Sequence, residues 1–144
     1  MKKAILVLTI VAASTLAALA QNAAADQSAI KGTPAYAEIL LRKTELLADL
    51  DAYTPDYTDA NPKILILRAE LASIDKSLER VLAVKPAQAT RLTEALGRLM
   101  VKKAALEADL QRLSRQYNKD YPEVKRAQRR VDFYESAIND ILGK

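Results

Sequence analysis

The residue types that most often carry out catalysis are missing from this chain of 144 residues, which has no histidine and no cysteine. It therefore lacks the usual proton shuttle at neutral pH, the usual partner of a nucleophile and the commonest transition-metal ligands. The glycines Gly32, Gly97 and Gly143 are isolated, so they form no phosphate-binding loop. Several acids alternate with lysines and arginines at helical spacings, as in surface ion pairs: Asp49, Glu70, Asp75, Glu79, Asp109, Glu123 and Glu135. We expect no catalytic residue, no cofactor and no metal site, and a protein that is not an enzyme.

The chain matches itself without gaps at a spacing of 60 residues, with residues 42–82 aligned to residues 102–142. Apolar positions agree in kind along the match, for example Leu71 with Val131 and Leu78 with Ile138. Eight pairs are identical: Lys43/Lys103, Leu46/Leu106, Ala48/Ala108, Asp49/Asp109, Leu50/Leu110, Tyr57/Tyr117, Pro62/Pro122 and Leu82/Leu142. A match of this length predicts one structural unit built twice.

Prolines mark the beginnings of the elements that the repeat contains. Proline is favoured in the first turn of a helix, and Thr33 and Asn61 precede two of the prolines as capping residues. The pattern predicts four helices, at about 34–53, 62–82, 86–117 and 122–142. At a rise of about 1.5 Å per residue, the third helix should reach about 48 Å and the others about 30 Å. Equal lengths would favour a compact four-helix bundle, whereas unequal lengths leave room for an extended rod or for a third helix that projects and binds another copy.

Apolar residues inside the four predicted helices recur at alternating spacings of three and four, which is typical of a coiled-coil seam. The seams are Ile39, Lys43, Leu46, Leu50 and Tyr53; Ile64, Leu67, Leu71, Ile74, Leu78 and Val81; Leu92, Leu96, Leu99, Lys103, Leu106, Leu110, Leu113 and Tyr117; and Val124, Ala127, Val131, Tyr134, Ile138 and Ile141. Short connections predict antiparallel pairing of neighbours. The fold class is therefore all-α, with antiparallel coiled-coil hairpins in two tandem repeats at 34–84 and 85–144.

A lysine occupies the same seam position in both odd-numbered helices, at Lys43 and Lys103. Such a residue either fixes the register of the packed helices or extends out of the seam into solvent. From sequence we favour the second interpretation.

The first 20 residues are predicted to be a secretory signal peptide. A basic start at Lys2 and Lys3 precedes the uncharged apolar run 4–20, which ends in small residues. The run is shorter and poorer in strongly apolar residues than a spanning helix prefers. Cleavage is expected after Ala20 or after Ala25, followed by a flexible linker to residue 33, with the region around Gly32 left open between linker and helix extension. The mature protein would be periplasmic or extracellular, with no stable membrane anchor.

Net charge and cysteine content limit the classes of partner that the protein is expected to bind. The formal charge of +4 falls to +2 without Lys2 and Lys3, since 20 basic residues then face 18 acidic ones. A nearly neutral chain argues against nucleic-acid binding. The absence of cysteine excludes disulfides. We expect self-association or a partner in the cell envelope.

An apolar patch distinguishes the first repeat from the second. Leu47, Leu65 and Ile66 lie off the seam, and the equivalent positions in the second repeat carry Glu107, Lys125 and Arg126. Apolar residues in such places mark a contact with the other hairpin, with another subunit or with a client. We predict these three as an interaction patch.

The predicted turns carry a family resemblance. Residues 57–64, Tyr-Thr-Asp-Ala-Asn-Pro-Lys-Ile, resemble the Tyr-Thr-x-x-His-Pro-x-Val segment in the periplasmic coiled coils of polysaccharide chain-length determinants and related co-polymerases. Residues 117–124 look like a diverged second copy. The turn motif comprises Tyr57, Asn61, Pro62, Tyr117, Tyr121 and Pro122, with Asn61 and Tyr121 in place of the family histidine.

The resemblance implies that this segment interrupts long helices. Family members carry a transmembrane helix at each end of the periplasmic region, and some carry a kinase domain. The resemblance therefore implies a stand-alone copy of the coiled-coil module, without those parts, as an accessory to envelope polysaccharide assembly.

Three functions follow as hypotheses. The first is a non-enzymatic structural or scaffold module of the envelope, linked to exopolysaccharide assembly through the turn motif. The second is a periplasmic holdase chaperone, suggested by small size, helical hairpins and the apolar patch. A third, binding to a membrane surface or cell wall, is opposed by the low net charge.

Overall fold

The computed structural model describes residues 27–143, and every regular element in that range is helical, which confirms the predicted all-helical class. The predicted signal peptide and the start of the linker, to residue 26, lie outside the described residues. The main helices are α1 (Pro34–Tyr53), α2 (Pro62–Leu82), α3 (Glu94–Gln116) and α4 (Pro122–Leu142), with a 3₁₀ helix at Pro86–Arg91. In residues 27–143, no helix is long and apolar enough to cross a bilayer.

Three of the four helices begin at the prolines that predicted them. The Thr33 hydroxyl accepts a hydrogen bond from the backbone N–H of Tyr36, and the Asn61 side chain accepts one from the N–H of Lys63. These bonds satisfy amides that have no partner inside the helix. At the other end of the chain, α4 closes at Gly143, whose φ of 70° is the left-handed conformation that glycine adopts without strain.

The third helix differs from its prediction. Pro86 opens a short 3₁₀ helix, and the chain turns at Leu92, whose side chain is buried in the core. The Thr93 hydroxyl then accepts from the N–H of Leu96 and starts α3 at Glu94. The main helices have 20, 21, 23 and 21 residues, so the predicted start of the third helix at residue 86 and its much greater length were wrong.

Helix α3 is central, since it packs against each of the other three main helices. Helix α1 runs parallel to α3. Their starts lie together, since the N–H of Ala35 donates to the carbonyl of Leu92 and Gly97 lies beside Glu38, and further along both helices Arg42 and Glu45 share a groove with residues 98–105. Helices α2 and α4 run antiparallel to them. The connections at 54–61 and 117–121 therefore lie at the same end of the molecule.

One hydrophobic core joins the main helices and includes residues from both predicted repeats. Its buried members are Ile30, Ala35, Ile39, Leu46, Leu67, Ile74, Leu78, Val81, Leu92, Leu96, Met100, Ala104, Ile138 and Leu142. A smaller cluster of Leu113, Val124 and Ala127 joins α3 and α4 near their connection. The predicted seam positions are buried or half-buried, with the exception of Tyr117. Within the predicted linker, residues 27–31 are helical and Ile30 is buried.

Candidate interaction site

The two seam lysines each reach an acid on the next helix. Lys43 Nζ of α1 lies 2.7 Å from Asp75 Oδ1 of α2, and Lys103 Nζ of α3 lies 3.2 Å from Glu135 Oε2 of α4. Both pairs are separated by 32 positions in sequence, and the 60-residue repeat makes them equivalent. The lysines therefore pair across the seam, whereas the interpretation favoured from sequence had them extend into solvent.

Lys103 belongs to a wider polar network between α2, α3 and α4. Its ammonium also lies 2.6 Å from Glu107 Oε1, and Glu107 accepts a hydrogen bond from Ser73 Oγ of α2. Arg80 of α2 donates to Glu135 at 2.9 Å. These charge-assisted bonds connect α2 directly to α4.

Burial and charge act in opposite directions on Glu135. Burial alone would raise the pKa of its carboxyl, but the hydrogen bond from Lys103 and the charge of Arg80 together outweigh burial and lower the pKa below its ordinary value. The Glu135 carboxylate is consequently ionised throughout the neutral range.

A second polar contact joins α1 to α2. Glu70 is buried, and its Oε1 accepts a hydrogen bond of 2.8 Å from Arg42 Nε. Arg42 also lies 3.0 Å from Glu45 one turn along α1. The hydrogen bond to Glu70 raises the pKa of Arg42 despite partial burial of the guanidinium.

These polar contacts are internally satisfied. Among residues 27–143, no buried side-chain nitrogen or oxygen is without a hydrogen-bond partner. The same range holds no group of three or more acids arranged to bind a metal ion. The arrangement orders the helices.

The predicted turn motif lies at the shared end of the molecule. In the first connection Tyr57 packs against Tyr53 with ring centroids 5.8 Å apart, and Lys63 lies over the Tyr53 ring. In the second, Tyr117 and Tyr121 stack in parallel at 4.3 Å. The aromatic pair therefore has different members in the two turns.

Asn61 and Tyr121 occupy equivalent capping positions just before Pro62 and Pro122. Asn61 caps its helix through its side chain, whereas the side chain of Tyr121 makes no capping hydrogen bond. Tyr121 stacks on Tyr117 instead, so the substitution at this position exchanges a polar cap for an aromatic contact.

The predicted interaction patch is divided between two places. Leu65 and Ile66 are half-buried in a groove of about 160 Å³ between the first half of α2 and the second half of α3, with Ala108 opposite them. Leu47 lies on α1, is 48% exposed and is not part of that groove lining.

Sequence reasoning missed a second buried face on α3, formed by Gly97, Met100, Ala104 and Ala108. A Cβ at Gly97 would lie 2.8 Å from Glu38 Cβ and 2.9 Å from Ala35 Cα, so α1 and α3 approach closely here. The recurrence of small residues at helical spacing was the available signal.

Exposed apolar residues were also missed. Leu40 is 42% exposed, Leu41 58% and Phe133 72%. Together with Leu47 they place large apolar side chains on the outer surfaces of α1 and α4. Such surfaces mark contact sites when they are grouped.

Comparison of the chain with protein-family models, with curated proteins and with solved structures finds no match.

Proposed function

We propose that this protein is an exported, non-enzymatic scaffold or accessory module of the cell envelope that works by associating through its helix surfaces. The observation that carries the proposal is that several large apolar side chains are exposed on helices whose buried polar groups are all satisfied. Internal charges pair with one another, while Leu40, Leu41, Leu47 and Phe133 face outward. Exposing large apolar side chains is unfavourable in water unless a partner covers them.

We also propose that α1 with α2, and α3 with α4, are tandem copies of one antiparallel coiled-coil hairpin. The equivalent ion pairs Lys43–Asp75 and Lys103–Glu135 support this, since a shared seam geometry places the same partners opposite each other. The equivalent positions of Pro62 and Pro122 at the helix starts support it further.

A link to envelope polysaccharide assembly is the most specific part of the proposal. It rests on the likeness of residues 57–64 and 117–124 to the turn segment of polysaccharide co-polymerases. Both segments begin in the connections at one end of the molecule and continue into the first turn of the next helix, and apart from Asn61, Ile64 and Val124 their residues are exposed. An exported coiled-coil module of this kind would act beside the membrane machinery.

Cell fractionation combined with light scattering tests the proposal. The protein should be recovered outside the cytoplasm in a form shortened at residue 20 or 25, and its mass in solution should exceed that of a monomer. A cytoplasmic protein that remains monomeric at every concentration would contradict it.

The groove between α2 and α3 favours a second candidate function, a holdase chaperone. Leu65, Ile66 and Ala108 line it with apolar atoms that an unfolded segment of a client could cover. An excess of the protein should then suppress aggregation of an unfolded outer-membrane protein. The variant Ile66→Lys should lose this effect, and unchanged suppression by that variant would exclude the groove as the client site.

A further inference from the structure

Within the chain, the helix pair α1/α2 packs against the helix pair α3/α4, and this internal contact defines two complementary surfaces. The first pair, α1 with α2, presents Ala35, Glu70 and Ser73, all of which are buried. The second pair, α3 with α4, inserts the face of α3 that carries Gly97 and Met100, also buried. Helices α1 and α3 lie parallel along this contact.

Each of the two surfaces in this internal contact has an equivalent surface, shifted by 60 residues, that is exposed in the single chain. The inserting face of α3, at positions 97, 100, 101, 104, 107 and 108, corresponds on α1 to Ala37, Leu40, Leu41, Thr44, Leu47 and Ala48, all of which are exposed. We call these six residues the α1 outer face. Met100 is 1% exposed, whereas its counterpart Leu40 is 42% exposed.

The receiving surface has a counterpart on the second pair. Positions 35, 38, 42, 65, 66, 69, 70 and 73 correspond to Ala95, Arg98, Lys102, Lys125, Arg126, Arg129, Arg130 and Phe133, and these are exposed. We call these eight residues the α3/α4 outer face. Phe133 corresponds to Ser73 of the internal contact. Ser73 is 9% exposed, whereas Phe133 is 72% exposed.

The two outer faces match at their centres. In the internal contact, Ser73 hydrogen-bonds to Glu107. Repeating that contact between two copies of the chain replaces Ser73 with Phe133 of one copy and Glu107 with Leu47 of the other. A polar pair within the chain becomes an apolar pair between chains, which is the composition expected of an interface centre.

Charge supports the same match. The α3/α4 outer face is strongly basic, while Glu45 and Asp51 flank the α1 outer face and are exposed. Glu45 corresponds to Ala105, which lies in the groove beside Arg42. In a repeated contact Glu45 would therefore lie near Lys102 of the next copy. The local pairs Arg98–Glu94, Lys125–Asp120 and Arg126–Glu123 are solvent-exposed, so they rearrange at little cost.

We propose that the partner for these faces is a second copy of this chain, bound head to tail, with the α1 outer face of one copy against the α3/α4 outer face of the next. This inference rests on the proposed function and names the partner and surface of the self-association. The interface is heterologous, because two different faces meet, so it continues from copy to copy into a ring or a filament.

Two single variants test the proposal with the purified protein. Leu47→Lys and Phe133→Lys each place a cation at the centre of one outer face and leave the other face intact. Both side chains are exposed, so folding should be unchanged, and circular dichroism verifies this. Ala72→Lys, at an exposed position of α2 that belongs to neither outer face, is the matched control.

Light scattering then follows the mass over about a hundredfold range of concentration, since association is governed by mass action. The wild-type protein and Ala72→Lys should grow beyond the dimer with concentration. Each of the other two variants alone should remain a monomer. An equimolar mixture of the two should form a dimer and stop there, because only one pair of intact faces is present.

Three results would overturn the inference: a wild-type protein that stays monomeric, variants that assemble as the wild type does, or a mixture that does not dimerise. If the wild type assembles and both variants do so equally, association occurs elsewhere and the proposed function stands. If the variants behave as expected but the protein is retained in the cytoplasm, the proposed function fails and the interface stands.

Discussion

At the scale of single residues, the seam lysines show how a polar residue is accommodated between packed helices. Lys103 is held by Glu107 and Glu135, and Arg80 completes the neutralisation of the acids. The charges of a partly buried ion pair lose solvation, so the pair contributes to stability only when each charge has a partner. The network is therefore expected to order the helices more than it stabilises them.

Replacing Lys103 with methionine tests how far the two acids depend on their shared partner. Glu107 and Glu135 lose a shared cation in a partly buried position, and we expect the free energy of unfolding to fall by about 1–2 kcal/mol. Lys76→Met removes a lysine from an exposed position on α2 and should change stability by less than about 0.5 kcal/mol. Urea denaturation followed by circular dichroism measures both. Equal losses in the free energy of unfolding would show that Lys103 contributes no more to stability than an exposed lysine does.

The lowered pKa of Glu135 predicts a pH dependence. A carboxyl whose pKa is lower in the folded than in the unfolded state contributes stability above the unfolded pKa and loses it as the pH falls through the folded pKa. The contribution should be complete at pH 7 and should decline below about pH 4.5. Glu135→Gln should therefore be less stable than the wild type at pH 7, with a smaller difference at pH 3. A difference that stays constant between these values would contradict the assignment.

At the scale of elements, the close approach of α1 and α3 depends on Gly97. Alanine is intrinsically better than glycine in a helix by about 1 kcal/mol. Its Cβ would nevertheless press against the backbone of Ala35, and overpacking of this kind typically costs about 1–3 kcal/mol. We expect Gly97→Ala to destabilise the protein by about 1 kcal/mol, measured by thermal or urea unfolding.

Gly32→Ala is the matched control, because a Cβ there meets the nearest atoms only at 3.6 Å. Its effect on stability should be small. A stabilising effect of Gly97→Ala would show that the two helices separate easily and that the close contact is unimportant.

The boundaries of the helices were largely predictable, since prolines and their capping residues act locally. Thr33 before Pro34 and Asn61 before Pro62 indicated helix starts through hydrogen bonds within one turn. The break at Leu92 was not foreseen, because it depends on burial of that side chain in a core formed by distant helices. Tertiary packing overrides a local pattern at such a point.

The candidate interaction site was predicted only in part. Leu47, Leu65 and Ile66 were found by comparing the repeats, yet the structure places Leu47 apart from the other two. Phe133 stood out neither by periodicity nor by motif. Its significance depends on knowing that the equivalent residue, Ser73, lies in the contact between the two helix pairs.

At the scale of the whole molecule, the shared core predicts that both helix pairs unfold together. Ile138 of α4 is fully buried in the same cluster as Ile39 of α1. Ile138→Ala should cost about 2–4 kcal/mol through lost burial and the cavity left behind. Hydrogen exchange should then show reduced protection in α1 as well as in α4.

Val131→Ala is a suitable comparison, since Val131 is buried on α4 but is not a member of the core cluster shared by the main helices. This variant should reduce hydrogen-exchange protection less than Ile138→Ala does, and mainly in α4. Loss of protection confined to α4 in both variants would show that the two pairs are independent domains.

The molecule as a whole combines a hydrophobic core, whose buried polar groups are paired, with two outer faces of different composition. The α1 outer face is apolar with acids beside it, and the α3/α4 outer face is basic around Phe133. A chain built in this way is suited to add further copies by the contact that already joins its two halves. This property connects the internal repeat to the proposed scaffold function.

The most direct test of this account is the mass of the wild-type protein in solution as a function of concentration, measured by light scattering after size exclusion. The account predicts a mass that rises past the dimer with concentration and falls again on dilution. A monomer at every concentration, or a dimer at which growth stops, would contradict it.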